Sequence, residues 1–240
     1  MTIKLTIMYD GSKYNGSQKQ PEKNTVEDCL IEALVNLNIH TKLIFSGRTD
    51  KDVHASGQVI SCAIPNFWND LMKLKNSLNH HLPSSIRIRH IKIVDDNFHA
   101  RYSAKKRTYH YIVTTTQPNP FESPYITYHK HINPQLIQEA IQRFIGVHDF
   151  EYFCKAGGGT TTTVRQIYST RFHQHKDKYI FTFTAKGFLR SQIRLMMEFL
   201  FKVSDGKLNV DQLVEQLNKK SHYNFKPAPA NGLYLAKIIY

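Results

Sequence analysis

Cysteines, acidic side chains and long apolar runs are all scarce in this sequence. The three cysteines, Cys29, Cys62 and Cys154, are far apart and lack CxxC spacing, which indicates buried free thiols in a reducing compartment. No stretch approaches the roughly 20 apolar residues of a membrane span. The amino terminus begins with a strand-like alternation in place of an apolar leader. We therefore expect a soluble, cytoplasmic protein with no membrane partner.

Acidic residues are outnumbered by basic ones, 19 Asp and Glu against 32 Lys and Arg, so the net charge is +13. A charge of this size favours a polyanionic partner, which could be RNA, DNA or an anionic membrane surface. The 13 tyrosines and 14 phenylalanines favour nucleic acid, because aromatic rings offer faces on which unpaired bases stack. Many of these rings will also belong to the core of a 240-residue chain.

Apolar periodicity predicts two halves with the same order of elements. The first half, residues 1–103, begins with the alternation from Ile3 to Tyr9 and a helix capped by Thr25. A break in apolar phase between Ile88 and Ile91 indicates a bulge in its last strand. In the second half, residues 104–240, the pattern predicts strands at 108–115, 164–173, 178–185 and 233–240, and helices after Pro134, at 189–203 and near 211–218.

The order strand, helix, strand, strand, helix, strand is that of a ferredoxin-like domain. The second helix of the first half is predicted from the stripe Phe67, Leu71, Leu74 and Leu78. The sequence thus predicts an α+β fold of two ferredoxin-like halves whose mainly antiparallel sheets join. Helices are expected on one face and an active-site cleft on the other. The prediction depends on element order, since the halves share no residue-level repeat.

Two segments of the chain are candidates for contact with RNA. The run from Phe98 to Tyr109 contains four cations and no acid, and it joins the two halves. Residues 155–163 contain three glycines and four threonines, which predicts a mobile loop near the RNA. This loop lacks the spacing of a nucleotide-binding signature.

The turn after the apolar run 43–45 concentrates charged side chains. Between Gly47 and Gly57 it holds one arginine, two aspartates and one histidine. A strand that stops at glycine and then displays such groups commonly holds reactive residues on a rigid scaffold. A solvated hairpin loop is an equally good interpretation of these residues alone.

In an extended conformation Asp50, Asp52 and His54 would share one face, as a metal site requires. A basic protein with a divalent metal could be a nuclease. The other histidines lie outside any ligand-rich context, so we favour surface histidines over this hypothesis. The remaining possibility is an aspartate that acts as nucleophile or base, with Arg48 favouring its ionised form.

The segment Gly47-Arg48-Thr49-Asp50, with Val53-His54-Ala55 and Gly57-Gln58-Val59, resembles the active-site motif of the TruA family of tRNA pseudouridine synthases. Similar segments follow the family's order along nearly the whole chain. They are Tyr9-Asp10-Gly11, Phe98-His99-Ala100-Arg101-Tyr102-Ser103-Ala104, His148-Asp149-Phe150, Gly187-Phe188-Leu189-Arg190 with Arg194, and Ala228-Pro229-Ala230.

The resemblance implies isomerisation of uridine to pseudouridine at positions 38 to 40 of the tRNA anticodon stem-loop. It also implies a homodimer in which one tRNA contacts both subunits, and no metal, nucleotide or other cofactor. Asp50 matches the catalytic aspartate. Whether this residue attacks the ribose or the base, or removes a proton on a glycal-like route, stays open.

Three further residues match catalytic positions of the family. Tyr109 matches the tyrosine that lies against the target uracil and would assist removal of the C5 proton, although a core tyrosine is the alternative. Arg194 matches the arginine that pairs with the nucleophile, and Arg190 would lie one helical turn earlier on the same face, facing phosphate. Arg48 would hold Asp50 and later contact the flipped nucleotide. The substrate-binding candidates are Tyr109, Arg190, Lys105, Arg107, Arg101, Phe188 and Leu189.

The chain departs from the family pattern at several positions. Lys51-Asp52 stands where small residues are usual, and a second carboxylate there would raise the pKa of Asp50. Ser17 stands where tryptophan is common, and Glu198 where glycine is expected. A non-catalytic tRNA-binding protein on the same scaffold is therefore the alternative function.

Overall fold

The structure is a computed structural model that describes residues 1–155, 157 and 161–240. It is a mixed α+β fold with mainly antiparallel strand pairing, which confirms the predicted fold class. The helices of the described residues are α1 (Val26–Val35), α2 (Leu71–His81), α3 (Pro134–Gln142), α4 (Gln192–Ser204) and α5 (Val210–Leu217). The strands are β1 (Thr2–Tyr9), β2 (Ile44–Phe45), β3 (His54–Ala63), β4 (Ile86–Ile93), β5 (Lys106–Thr114), β6 (Thr127–Tyr128), β7 (Gly146–Asp149), β8 (Val164–His175), β9 (Lys178–Ala185) and β10 (Leu233–Ile239).

The chain forms two compact units, residues 1–105 with 234–240, and residues 106–233. The last strand is therefore grouped with the amino-terminal residues, although it is last in sequence. The division into domains 1–103 and 104–240 stays a prediction, as does the ferredoxin-like character of each half.

In the first unit, β1 pairs antiparallel with both β3 and β4, β2 pairs with β3, and β10 runs parallel to β3. Ile3, Leu5 and Ile7 are buried on one face of β1, while Lys4 and Thr6 point to the opposite face. Each fully buried side chain of this kind stabilises the fold by roughly 1.5–3 kcal/mol. The alternation read from the sequence therefore selects which face of the sheet is covered.

Two local features of this unit agree with the sequence and one does not. The β1–β4 register skips Arg89, which confirms the predicted bulge. Thr25 caps α1 through a capping box, with its Oγ1 accepting the Asp28 N–H at 3.2 Å. The predicted extension of α2 to Phe67 is wrong. Asp70 accepts the N–H groups of Met72 and Lys73 and begins the helix there, so Phe67 precedes it and is 66% exposed.

In the second unit, β5 pairs with β9, β9 with β8 and β8 with β7, all antiparallel, and β6 adds to β5 in parallel. Most of α4 is buried, so this helix forms the centre of the unit's core. The short strand β7 was not expected, because four residues without apolar alternation carry no strand signal. Asn133 caps α3, and Pro134 is the first residue of this helix. The helix predicted after Pro134 is therefore present.

The three cysteines are free thiols. Cys62 is buried, and desolvation raises the pKa of its thiol to about 12. Cys29 and Cys154 are only half-buried, so the prediction of buried thiols holds fully for Cys62 alone among the three. Within the described part of the chain, no helix is long and apolar enough to cross a membrane.

Candidate active site

The turn between β2 and β3 contains the motif residues and belongs wholly to the first unit. Its start is held by Gln58, which is fully buried. The Nε2 of Gln58 donates to the carbonyl of Gly47 at 2.9 Å, and its Oε1 accepts the hydroxyl of Ser46 at 2.7 Å. The glutamine of the motif therefore fixes the first residues of the turn.

The middle of the turn is held by Thr49, which is buried. Its N–H donates to Ser17 Oγ at 2.9 Å, and its carbonyl accepts the Ser17 N–H at 3.1 Å. Its Oγ1 lies 2.7 Å from the hydroxyl of Tyr9. The two neighbours of Thr49 are less buried, with Arg48 exposed and Asp50 half-buried. Thr49 is thus anchored at the centre of the turn, with the cation of Arg48 before it and the carboxylate of Asp50 after it.

Ser17, which stands where the family commonly has tryptophan, supports the turn in this structure. The structure assigns its hydroxyl to the turn, since Ser17 is fully buried and accepts the Thr49 N–H. Burial also raises the pKa of the hydroxyl of the neighbouring Tyr9 to about 12. No sequence pattern pairs residues 17 and 49, so only the three-dimensional structure could find this contact.

The end of the turn is held by His54 and Gly11. The Nδ1 of His54 accepts the Gly11 N–H at 3.0 Å, and its ring stacks on Tyr234 with centroids 4.7 Å apart. A Cβ on Gly11 would lie 2.1 Å from the Val53 carbonyl oxygen, so only glycine fits. The Asp10 carboxylate lies 3.4 Å from the same Nδ1.

Asp52 occupies the position of the turn that needs an unusual backbone conformation. Its φ is +64°, in the left-handed region, and the Val53 N–H closes the turn on the Asp50 carbonyl at 3.2 Å. Aspartate tolerates this conformation better than most residues, which explains how the chain manages without glycine here. The expected effect of Asp52 on Asp50 stays a prediction.

The extended arrangement assumed for a metal site is wrong, because the left-handed Asp52 breaks it. His54 also uses Nδ1 to accept a backbone N–H. Among the residues the structure describes, no group of three or more His, Cys, Asp or Glu is placed to hold a metal ion.

Arg48 is anchored by a hydrogen bond from its Nε to Gln18 Oε1. This bond positions the exposed guanidinium group beside the turn. The role of Arg48 toward Asp50 stays a prediction.

In the second unit, Tyr109 and Phe188 are brought together. Their rings meet edge to face, with centroids 5.3 Å apart at 85°, and Tyr109 is 8% exposed. Tyr111, two residues along the same strand, is fully buried, and its hydroxyl donates to the Pro229 carbonyl at 2.8 Å. Tyr111 is therefore a core residue with satisfied hydrogen bonds. Tyr109 lies on the same side of β5 as Tyr111. It packs against Phe188, which is also predicted to contact the substrate.

The predicted placement of Arg190 on the helix of Arg194 is wrong. Ser191 has a left-handed φ of 58°, and α4 begins at Gln192, whose Oε1 accepts the Leu189 N–H. Arg190 therefore precedes the helix and cannot share its periodicity. Arg194 lies in the first turn of α4, and its Nε donates to the Ala228 carbonyl at 2.7 Å. This bond ties the helix to the segment Ala228-Pro229-Ala230.

The basic run contains both exposed and buried cations. Arg101 and Lys105 are exposed, whereas Arg107 is largely buried and donates to the Lys186 carbonyl. Tyr102 is 75% exposed and stacks on His99 with centroids 4.2 Å apart. An aromatic residue within an acid-free basic run was the signal that could have added Tyr102 to the candidates. The predicted loop over 155–163 falls in part on residues 156 and 158–160, which lie outside the described residues.

Comparison with known proteins matches residues 5–103 and 140–240 to a family model described as tRNA pseudouridine synthase. The chain is 40% identical over 240 residues to tRNA pseudouridine synthase A of Campylobacter jejuni strain RM1221, covering 100% of both chains. It is 37% identical to tRNA pseudouridine synthase A of Helicobacter hepaticus, covering 100% of this chain and 99% of that relative. The same-named protein of Streptococcus agalactiae is 38% identical, with 99% and 94% covered.

These matches define an RNA pseudouridine synthase, an enzyme of the isomerase class. More narrowly, the chain belongs to the tRNA pseudouridine synthase family. Arg48, Asp50 and Arg194 lie within the residues matched by the family model, and Tyr109 lies between its two segments.

Proposed function

We propose that the chain converts uridine to pseudouridine in the anticodon stem-loop of tRNA, at positions 38 to 40, with Asp50 as the nucleophile. The observation that carries the proposal is the anchoring of Thr49 between Arg48 and Asp50, within a segment that resembles the family's active-site motif. Reacting groups must be held close to their reactive geometry, and a misplacement of about 1 Å can cost about a hundredfold in rate. The bonds from Thr49 to Tyr9 and Ser17 supply that rigidity.

The reaction breaks the N1–C1′ bond of uridine, turns the detached uracil and joins C5 to C1′. The proton that leaves C5 is balanced by one gained at N1, so the product is an isomer of the substrate. Asp50 acts as nucleophile on the ribose or the base, or as the base of a glycal-like route. Each of these roles needs an ionised carboxylate at a fixed position.

We assign Arg48 to the flipped nucleotide. Extruding a base costs a few kcal/mol, and a cation on the adjacent backbone offsets part of that cost. The bond to Gln18 restrains the side chain of Arg48, which lies two positions before Asp50 in the turn. Arg48 would thus steady the carboxylate before substrate binds and contact phosphate afterwards.

Residues of the second unit keep the roles that the resemblance implies. Tyr109 would lie against the uracil and Arg194 would pair with the nucleophile. The substrate contacts proposed with them are Arg190, Phe188, Leu189 and Arg107 of the same unit, and Arg101 and Lys105 of the first unit. We also propose a cytoplasmic homodimer that contacts one tRNA with both subunits; sedimentation at working concentration tests it, and a fully active monomer would count against it.

The test of the function compares wild type with Asp50→Asn, using Asp52→Asn as the matched control. Each protein is incubated with unmodified anticodon-stem RNA carrying uridine singly at position 38, 39 or 40, and pseudouridine is mapped by chemical labelling. We expect wild type and Asp52→Asn to form product, and Asp50→Asn to bind the RNA without forming it. Full activity of Asp50→Asn would sink the nucleophile assignment. Tight binding by wild type without any product would support a non-catalytic tRNA-binding protein.

A further inference from the structure

A depression of about 310 Å³ lies within the first unit, where β1, β3, β4 and β10 expose their uncovered sides. Its wall includes Lys4 and Thr6, which point away from the buried face of β1. The other principal lining residues are Arg89, Lys237, Tyr240 and Gly57, and we refer to this site as the basic depression.

The charged residues that line the basic depression are all cationic. Lys4, Arg89 and Lys237 line it, and no Asp or Glu is among its described lining residues. Lys92 is the register partner of Lys4 on β4 and adds a further exposed cation to the same side of the sheet. Like charges gathered in this way repel one another, and an anion that enters between them relieves the repulsion.

Two of its charged groups, those of Lys4 and Arg89, are held in place before any ligand arrives. The Nζ of Lys4 lies 5.2 Å from the centroid of the Tyr240 ring and 5.7 Å from that of Phe98. The Tyr240 hydroxyl donates to the Ala100 carbonyl at 2.8 Å, and Arg89 Nη1 donates to the Ser56 carbonyl at 2.9 Å. Side chains that are already ordered lose less conformational entropy on binding, so the site is prepared for a ligand.

Glycine at position 57 lets β3 and β10 approach closely where they border the basic depression. A Cβ there would lie 2.3 Å from the Ala236 carbonyl oxygen, so any side chain would displace β10. β3 contributes Gly57 and Val59 to the lining, three and five residues beyond His54 and therefore about 10 and 16 Å further along the strand. A ligand here would thus be separate from a nucleotide held at the Asp50 turn.

We propose that the basic depression binds the phosphodiester backbone of the RNA substrate, at phosphates distant from the isomerised uridine. The proposal rests on the proposed function for the identity of the RNA. The acid-free lining fits a phosphate group, and the net charge of +13 fits a long polyanion. Contacts to backbone phosphates would set the register of the tRNA without reading its sequence.

The test uses Lys4→Gln, Arg89→Gln and Lys237→Gln, singly and combined, with Lys73→Gln as control. Lys73 is an exposed cation on α2, outside the depression, and its substitution changes the charge equally. Dissociation constants for unmodified tRNA are measured by fluorescence anisotropy at several salt concentrations. Each single variant should weaken binding about three- to tenfold and lower the salt slope by about 1, while the control matches wild type.

Kinetics separate this site from the reaction centre. The variants should raise KM and leave kcat unchanged, and Arg89→Lys should bind like wild type because phosphate contact needs charge. Wild-type affinity and salt slope in the triple variant would overturn the proposal, as would a fall in kcat at constant KM. Absence of product from wild type would instead count against the proposed function, and the binding measurement would still decide this site. If Lys4→Gln unfolds through loss of its ring contacts, Arg89→Gln still gives the answer.

Discussion

The hydroxyl of Ser17 accepts the backbone N–H of Thr49 at 2.9 Å, across 32 positions of the chain. This contact anchors the turn that contains Asp50 to the segment after β1. Tyr9 contacts the same threonine through its side chain, so two separate segments restrain one residue of the turn. The position of the proposed nucleophile therefore depends on side chains that take no part in the chemistry.

Replacing Ser17 by alanine removes the only hydroxyl on that residue and leaves a buried N–H to find another acceptor. An unsatisfied buried donor costs about 1–3 kcal/mol. We expect Ser17→Ala to lower the free energy of unfolding by that amount and to lower kcat more than it changes KM. The exposed Ser84 is the control, and Ser84→Ala should stay within about 0.5 kcal/mol of wild type in urea denaturation. Equal stability and kcat in the two variants would contradict the anchoring role.

Gly11 should tolerate no side chain. A Cβ at this position would lie 2.1 Å from the Val53 carbonyl oxygen, whereas one at Gly187 would meet nothing within 4 Å. We expect Gly11→Ala to destabilise the protein by more than about 2 kcal/mol, because the turn must shift to admit the methyl group. Gly187→Ala should be nearly neutral in stability. Thermal unfolding of both variants decides the matter, and similar melting temperatures would show that the turn yields easily.

Stability should fall at alkaline pH, in part through Tyr9. Its pKa rises from 10.0 to about 12 on burial. Because the pKa is raised, the stability that the protonated Tyr9 contributes is complete below pH 10, where the hydroxyl is protonated in both the folded and the unfolded state. This stability is lost as pH rises toward 12, because the unfolded state ionises first. Each such group changes the unfolding free energy by about 1.4 kcal/mol per pH unit in that window. Tyr9→Phe should therefore show a shallower decline than the exposed-ring control Tyr102→Phe in urea denaturation between pH 9 and 11.

Tyr109 and Tyr111 should separate catalysis from stability. Tyr111→Phe loses the hydrogen bond to Pro229 and the one from Thr127, and should destabilise the protein by about 1–2 kcal/mol with kcat retained. Tyr109→Phe keeps the ring against Phe188 and removes only the hydroxyl, so it should fold normally and form pseudouridine more slowly. Steady-state kinetics and denaturation of both variants test this. An unaffected rate in Tyr109→Phe would assign that residue to packing alone.

Arg190 and Arg194 should affect different kinetic constants. Arg194 is tied to Ala228 in the first turn of α4, so Arg194→Gln should mainly lower kcat if this arginine serves the nucleophile. Arg190 precedes the helix, and Arg190→Gln should mainly raise KM if it serves phosphate. Lys202, on the last turn of α4, provides a charge-matched control as Lys202→Gln. Identical effects from Arg190→Gln and Arg194→Gln would contradict the division of roles.

Features that depend on neighbouring residues were predicted well. The alternation of Ile3, Leu5 and Ile7 and the bulge at Arg89 both follow from residues a few positions apart. The capping box at Thr25 does as well. Errors arose where one local signal competed with another. The apolar stripe starts at Phe67, but Asp70 caps α2 and the helix begins at Leu71. Ser191 interrupts the pattern that placed Arg190 on α4.

The amino-acid order alone establishes the fold class, the family and the motif around Asp50, because periodicity, capping and motif spacing are written in residues close along the chain. Folding decides what surrounds that motif. Ser17 meets Thr49, Gly11 meets His54, and Lys4, Arg89 and Lys237 line one depression from three strands, because hydrogen bonding and burial join segments that no local pattern connects.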